Sequence, residues 1–261
     1  MDRTARLREL VASGRTIAAL GAADALSARI IESHGFECVY IGSYATAASR
    51  FALPDTGLLE LGQLVEHARS IASAVRVPVI ADAEGGFNDA ANMHRTVQAF
   101  EQAGVAAIHI EDHSGSGKHT GAPQTLRPAA QVAQRIRAAV AARTDPNFMI
   151  VARSDATWLG MELEETIARL SAYAAAGADM VFPTAATPPQ LAEVRRRVAK
   201  PAMIVDMPGR TLAEHKDAAI VLYYGFSVLA QFEALNRAIE SFKAGGKLPG
   251  DQAAFERFMG Y

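Results

Sequence analysis

AANMHRTVQAFEQAGVAAIHIE, residues 90–111, passes from a helix into a strand with only a glycine between them. Met93, Val97 and Phe100 recur at helical spacing, Gly104 is a stop, and the apolar run from Val105 ends on the charged Glu111. The same unit recurs along the chain. Strand-like runs rich in Val, Ile and Ala stand at 16–20, 38–42, 77–82, 105–111, 148–154, 178–183, 202–206 and 219–224. Amphipathic stretches such as ADALSARIIESHG (23–35), LGQLVEHARSIASAV (61–75), PAAQVAQRIRAAVAAR (128–143) and LEETIARLSAYAAAG (163–177) separate most of them.

Strict alternation of strand and helix requires parallel strands with crossover helices, and eight units close into a barrel more naturally than they open into a sheet. The pattern predicts an α/β fold, a (β/α)8 TIM-type barrel. The 261 residues, half of them apolar, match the roughly 250 of such a barrel, so one domain over 1–261 is expected. Residues 207–218 form the weakest helical segment. The C-terminal segment 226–261 reads as a long helix followed by a short one.

A formal net charge of −2 leaves no basic field for nucleic acid or an anionic membrane, which points to a small-molecule substrate. No apolar run approaches the roughly 18 residues of a membrane span. The single Cys38 suits a reducing compartment, and the charged start MDRTARLREL lacks a signal peptide's apolar stretch, so a cytoplasmic location is expected. Cys38 reads as buried packing, since nothing near it in sequence lowers its pKa. The run SGSGKHTG after Glu111 imitates a phosphate loop but fails its spacing. Asp112 stands where the first glycine belongs, and His119 follows Lys118 in place of Ser or Thr.

Chemistry in such barrels belongs to the carboxyl ends of the strands. Those ends carry Gly42-Ser43-Tyr44, Asp82 and Glu84, His109 and Glu111, Arg153 and Asp155, Thr184, Asp206, and Tyr223-Tyr224, with Asp55 further along the second connection. Residues two apart on a strand share a face, so Asp82 with Glu84, His109 with Glu111, and Arg153 with Asp155 point into one mouth. Several carboxylates there raise one another's pKa unless a cation lies among them. With oxygen donors dominant and no Cys at any strand end, that cation is Mg2+ first and Mn2+ second. The bland alternatives are helix caps for Asp89 and Asp155, a salt bridge for Arg153, and a hydrogen-bonded core position for His109.

The stretches GAADALSAR (21–29), LPDTG (53–57), ADAEGGF (81–87), GVAAIHIED (104–112), IVARSDA (150–156) and AGADMVFP (176–183) occur in an order that resembles the isocitrate lyase/phosphoenolpyruvate mutase superfamily. The resemblance implies a barrel, often tetrameric, so a homo-oligomer (tetramer or dimer) whose last helices exchange between subunits. It implies Asp82 as direct metal ligand, Asp55, Glu84 and Glu111 as holders of the metal's waters, and Arg153 as a substrate contact. Ser43 and Tyr44 after Gly42 would bind a substrate carboxylate through backbone amides. His109, Thr184, Asp206 and Tyr223 complete the substrate-binding candidates. After IED the family carries a lid, with Gly115 and Gly117 as hinges and Lys118 and Thr120 as its catalytic candidates.

The lyases of this superfamily carry Lys-Lys/Arg-Cys-Gly-His in that lid. Here the order is Lys118-His119-Thr120-Gly121-Ala122, so the acidic Cys is a threonine, a poor acid at neutral pH. The lyases' Glu after strand 6 is Thr184, their Asn at strand 7 is Asp206, and the usual Asp at position 84 is Glu. The implied reaction is Mg-dependent cleavage of a carbon–carbon bond in a 2-oxo or 2-hydroxy di- or tricarboxylate through an enolate, with oxaloacetate decarboxylation or a substituted-malate or methylisocitrate split as the candidates. An aldol-type split also needs a base, for which Glu84, Asp206 and Tyr223 are open candidates. The alternatives are phosphorus–carbon cleavage of phosphonopyruvate and a barrel that binds metal and carboxylate without turnover.

Overall fold

The computed structural model describes residues 2–114, 120, 124–206, 210–247 and 249–261. Eight parallel strands form one sheet: β1 (Ile17–Gly21), β2 (Val39–Ile41), β3 (Val79–Asp82), β4 (Ala107–Glu111), β5 (Met149–Ser154), β6 (Met180–Pro183), β7 (Met203–Val205) and β8 (Ile220–Tyr223). Their hydrogen-bonded order, β6-β5-β4-β3-β2-β1-β8-β7, runs round a barrel. A single parallel bridge between Val181 and Ala202 joins β6 to the start of β7 and nearly closes it. This is the (β/α)8 TIM-type fold expected from the alternation.

The opening stretch shows how the unit is made. Helix α5 (Met93–Ala103) buries Met93, Val97 and Phe100, and Gly104 ends it at φ 84° with its N–H bonded to the Glu101 carbonyl. A left-handed residue there suits glycine, and the chain turns straight into β4. The other helices, numbered in chain order, are α1 (Arg3–Ala12), α2 (Ala25–Ser33), α3 (Ser43–Phe51), α4 (Leu61–Ala74), α6 (Ala129–Ala142), α7 (Leu163–Ala175), α8 (Pro188–Arg197), α9 (Phe226–Lys243) and α10 (Gln252–Met259). The weak segment after β7 forms only a 3-10 turn, Leu212–His215, among its described residues. The long-then-short C-terminal pair is α9 and α10.

Two buried clusters follow from strand parity. The outer one packs strand side chains such as Ile108, Ile110 and Ile150 against the helices. The inner one stacks the opposite face inside the barrel: Cys38 and Tyr40, Ile80, Ala107, Met149 and Val151, Met180 and Phe182, Ile220 and Leu222. α1 joins the inner cluster through Leu7, Leu10 and Val11. Arg8 of α1 binds the Asn147 carbonyl and Asp179, just ahead of β5 and β6, which places α1 at the N-terminal end. Counting on by two from the inner residues reaches Asp82, His109 and Glu111, Arg153, and Thr184 at the other end. The site side chains are thus the upper layers of the barrel filling.

Candidate active site

A cavity of about 500 Å³ opens at the carboxyl ends of the strands. Its lining includes Gly42, Ser43, Tyr44, Asp55, Asp82, Arg153, Thr184, Asp206, Tyr223 and Tyr224, so ten of the residues singled out from sequence converge there. Asp82 is buried and strongly oriented. Ser43 donates to its Oδ2 from Oγ at 3.0 Å and from the backbone N–H at 3.3 Å, and the Glu84 N–H donates to Oδ1 at 2.8 Å. Ser43 Oγ also lies 3.2 Å from Asp55 Oδ2, tying the second connection to the same point. Glu84 holds φ at 47°, a left-handed conformation uncommon for a residue with a side chain, and such strain concentrates at functional sites.

Asp82, Glu84 and Glu111 each offer a carboxylate oxygen, and these oxygens lie within 4.8 Å of one another. Oxygens on opposite sides of a Mg2+ ion stand about 4.2 Å apart, twice a bond of about 2.1 Å. The donor set therefore fits a small hard cation with little adjustment. Asp55 is outside this compact trio and reaches it through Ser43.

Arg153 lies on β5 beside Glu111 of β4, its register partner. It is a buried cation gripped on two sides, with Nε 2.7 Å and Nη2 3.1 Å from Asp155 and Nη1 3.2 Å from Glu111. Burial opposes its charge, and the anions of Asp155, Glu111 and Asp82 outweigh burial, holding the guanidinium charged well above its ordinary range. The salt-bridge reading of Arg153 thus holds alongside its place in the cavity wall. Beneath it Asp112, fully buried, accepts from Ser154 Oγ at 2.7 Å, the Asp155 N–H at 2.9 Å and Tyr173 OH at 3.0 Å. Burial pushes the Asp112 carboxyl up from its usual range.

Some expected residues lie elsewhere. His109 does not line the cavity: it is fully buried one layer below the rim, bonded to Tyr40 OH at 2.9 Å and 3.6 Å from Asp82. The inward parity that brings Glu111 to the mouth leaves His109 two residues before it, as the register partner of Asp82 on the neighbouring strand. Glu84 and Glu111 are not lining residues themselves but stand beside Asp82, which is. Thr120 is exposed, while Lys118 and both glycine hinges lie outside the described residues. Asp89 is a cap, accepting from the Asn92 N–H. Cys38 is buried, its thiol pushed up to about 12 by desolvation, in keeping with a packing role.

Sequence reasoning missed the apolar lining. Trp158, Phe182, Val205, Phe226 and Leu229 also line the cavity, Phe182 with its ring 5.3 Å from the Arg153 guanidinium. It also missed that Ser43 and Tyr44 open a helix: α3 begins at Ser43, and its N-cap Gly42 contributes no side-chain bond. The run of small residues from Ala45 to Ser49 was the available signal. Gly21 at the end of β1 permits a close approach, because a Cβ there would fall 2.1 Å from the Tyr224 carbonyl oxygen.

These features define a β/α barrel whose C-terminal rim joins an oxygen-donor cluster of the kind that holds a divalent cation to a buried arginine. The family model for phosphoenolpyruvate phosphomutase matches residues 7–243, and the chain belongs to that family, within the phosphoenolpyruvate mutase/isocitrate lyase superfamily. It is 39% identical over 217 residues to 2,3-dimethylmalate lyase of Eubacterium barkeri, covering 82% of this chain and 71% of that enzyme. It is 37% identical over 246 residues to 2-methylisocitrate lyase of Salmonella typhimurium, covering 89% and 81%. Among solved structures, phosphonopyruvate hydrolase in complex with oxalate and Mg++ matches with a TM-score of 0.88 at 28% identity, over 100% of this chain and 95% of that one.

Proposed function

We propose that the protein is a Mg-dependent lyase that cleaves a carbon–carbon bond in a 2-oxo or 2-hydroxy polycarboxylate and leaves an enolate. The observation that carries this reading is the Asp82, Glu84, Glu111 trio set beside the buried, charged Arg153 at one cavity mouth. The names of the two lyase relatives support it, and the hydrolase solved with Mg++ and oxalate supports the choice of metal. Mn2+ meets the same donor set.

Asp82, Glu84 and Glu111 would hold the ion, directly or through its waters, and Asp55 would steady that shell through Ser43. When bound, the ion supplies Lewis-acid polarisation of the substrate's 2-oxygen. The Tyr44 N–H, in the first turn of α3 at an N-terminus without a side-chain cap, suits a substrate carboxylate, while the Ser43 N–H is given to Asp82. Arg153, fixed by Asp155 and Glu111, stabilises oxyanion charge as the bond breaks without having to reorganise. Thr184 and Tyr223 are placed to contact the departing fragment. Loss of carbon dioxide from a 2-oxo diacid needs no base on this chain, which agrees with threonine at the lid's Cys position.

A Mg2+-containing screen of oxaloacetate, 2,3-dimethylmalate, 2-methylisocitrate and phosphonopyruvate tests the proposal. Release of pyruvate or carbon dioxide from one of the carbon acids supports it, whereas turnover of phosphonopyruvate alone, to pyruvate and inorganic phosphate, overturns it. That second reading has its own support in the hydrolase likeness and in the position of Asp55 on the cavity wall.

The oligomer belongs to the same proposal. α9 exposes Phe232, Leu235, Ile239 and Phe242, a stripe at helical spacing that exchange of helices between copies of the chain would cover. No helix among the described residues is long and apolar enough to cross a membrane.

A further inference from the structure

The connection leaving β3 is strained just where it enters the acidic trio. Glu84, Gly86 and Phe87 hold left-handed backbones, at φ 47°, 90° and 57°. Glycine adopts that conformation freely, whereas a residue with a side chain is disfavoured there and keeps it only where its surroundings impose it.

Two helices impose it. Thr96 of α5, fully buried, donates from Oγ1 to the Gly86 carbonyl at 2.7 Å and accepts from Asn88 Nδ2 at 3.0 Å. Arg135 of α6 donates from Nη1 to the Gly85 carbonyl at 2.6 Å, a charge-assisted bond. The carbonyls of the two residues that follow Glu84 are thus both gripped. On the side of the trio, the Glu84 N–H donates to Asp82 Oδ1 at 2.8 Å, and its carbonyl accepts from the Glu111 N–H at 2.8 Å. A return to the ordinary negative range of φ would redirect the Cα–Cβ bond of Glu84 and take its carboxylate out of the group it forms with Asp82 and Glu111.

The charged neighbours of Arg135 are Arg127 and Asp89. Burial and then Arg127 draw its pKa down while Asp89 draws it up, and an arginine so perturbed is still charged at neutral pH. Arg127 also borders Gly85, with its Nε buried and without a partner among the described residues. Arg135 therefore stands beside a like charge, and its one hydrogen bond among the described residues goes to the loop that carries Glu84.

We infer that Thr96 and Arg135 are positioning residues that hold the Glu84 backbone left-handed, so that its carboxylate is in place before a cation arrives. Neither residue lines the cavity or belongs to the trio. The inference rests on the metal-site part of the lyase reading. Strain held by the fold keeps the donor set close to the geometry that the ion requires, as partners behind a metal's ligands do.

Calorimetric titration of the chelator-stripped protein with Mg2+ tests it, with circular dichroism reporting that each variant is folded. Thr96→Val and Arg135→Met should each weaken Mg2+ binding about tenfold or more, whereas Thr96→Ser, which keeps the hydroxyl, should stay within about threefold of the wild-type protein. Should Thr96→Val fail to fold, Arg135→Met, at a position that is only half-buried, decides alone. Mg2+ affinity unchanged in the folded variants, or lost as fully in Thr96→Ser as in Thr96→Val, overturns the inference and leaves the metal site standing. Wild-type protein that binds no Mg2+ overturns the metal site and the inference together. If the affinities fall as expected while no carbon acid is turned over, the lyase reading fails and the positioning role stands.

Discussion

The arc of the rim from β3 to β5 and the arc from β6 to β8 enclose one cavity but are built on different terms. On the first, carboxylates and a guanidinium are buried together, and each is held by two neighbours: Asp82 by Ser43 and Glu84, Arg153 by Asp155 and Glu111, Asp155 by Arg153 at its carboxylate and by Asp112 at its backbone N–H. On the second, aromatic and aliphatic side chains share the wall with Thr184, Tyr223 and the Asp206–His215 pair. Buried charge is tolerated only where every partner is present, so the first arc can change little without collapse. The second can exchange one apolar side chain for another and alter which substrate fits. Chemistry is thereby assigned to one arc and selection to the other.

That division can be broken most forcefully at Asp82. Asp82→Ala should lower kcat/KM on the order of 10³-fold and abolish the response to added Mg2+, measured in the pyruvate- or carbon dioxide-release assay. Arg153→Ala comes next, with about 10²–10³-fold lost. It should also cost about 3–5 kcal/mol in denaturant unfolding, because Asp155 and Glu111 are left as buried anions without their shared cation. Equal losses for Leu229→Ala would erase the distinction between the arcs, since substitution there should raise KM more than it lowers kcat.

Smaller effects sharpen the picture away from the rim. His67, buried against Thr46 at 2.9 Å, has its pKa lowered by burial and then by Arg50. Below its unfolded value of about 6.5 the unfolded chain takes up a proton that the folded one resists, so stability present at neutral pH is lost as pH falls through that range. The thermal midpoint should drop by on the order of 2–4 °C between pH 7 and pH 5.5, and by less in His67→Gln. Smallest of all, Cys38→Ala should change kcat/KM less than about twofold, and the native thiol, raised to about 12, should resist thiol reagents at pH 8 until the protein is unfolded.

Legibility in the sequence follows the same divide. The barrel was readable because each unit repeats one helical period, one stop and one apolar run, as in residues 90–111, and because parity along β3, β4 and β5 sends Asp82, Glu111 and Arg153 inward. Parity places His109 inward but leaves its role open between substrate contact and core, and the structure sets it beside Asp82 in a hydrogen bond to Tyr40. Asp112, outward by parity, emerges as the post behind Asp155 only once Tyr173 and Ser154 are seen to converge on it. The apolar lining left no trace, because Trp158 and Leu229 reach the cavity from a loop and from α9 through packing that no local spacing encodes. The Asp206–His215 pair spans nine residues across a segment too weak to be read as a helix.

The most direct test of the central claim is titration of the chelator-stripped protein with Mg2+, followed by calorimetry and by restored turnover. The account predicts one ion bound per chain, recovery of activity in step with its binding, and loss of both in Asp82→Ala. Full turnover in excess chelator, or Mg2+ binding unchanged by Asp82→Ala, would contradict it.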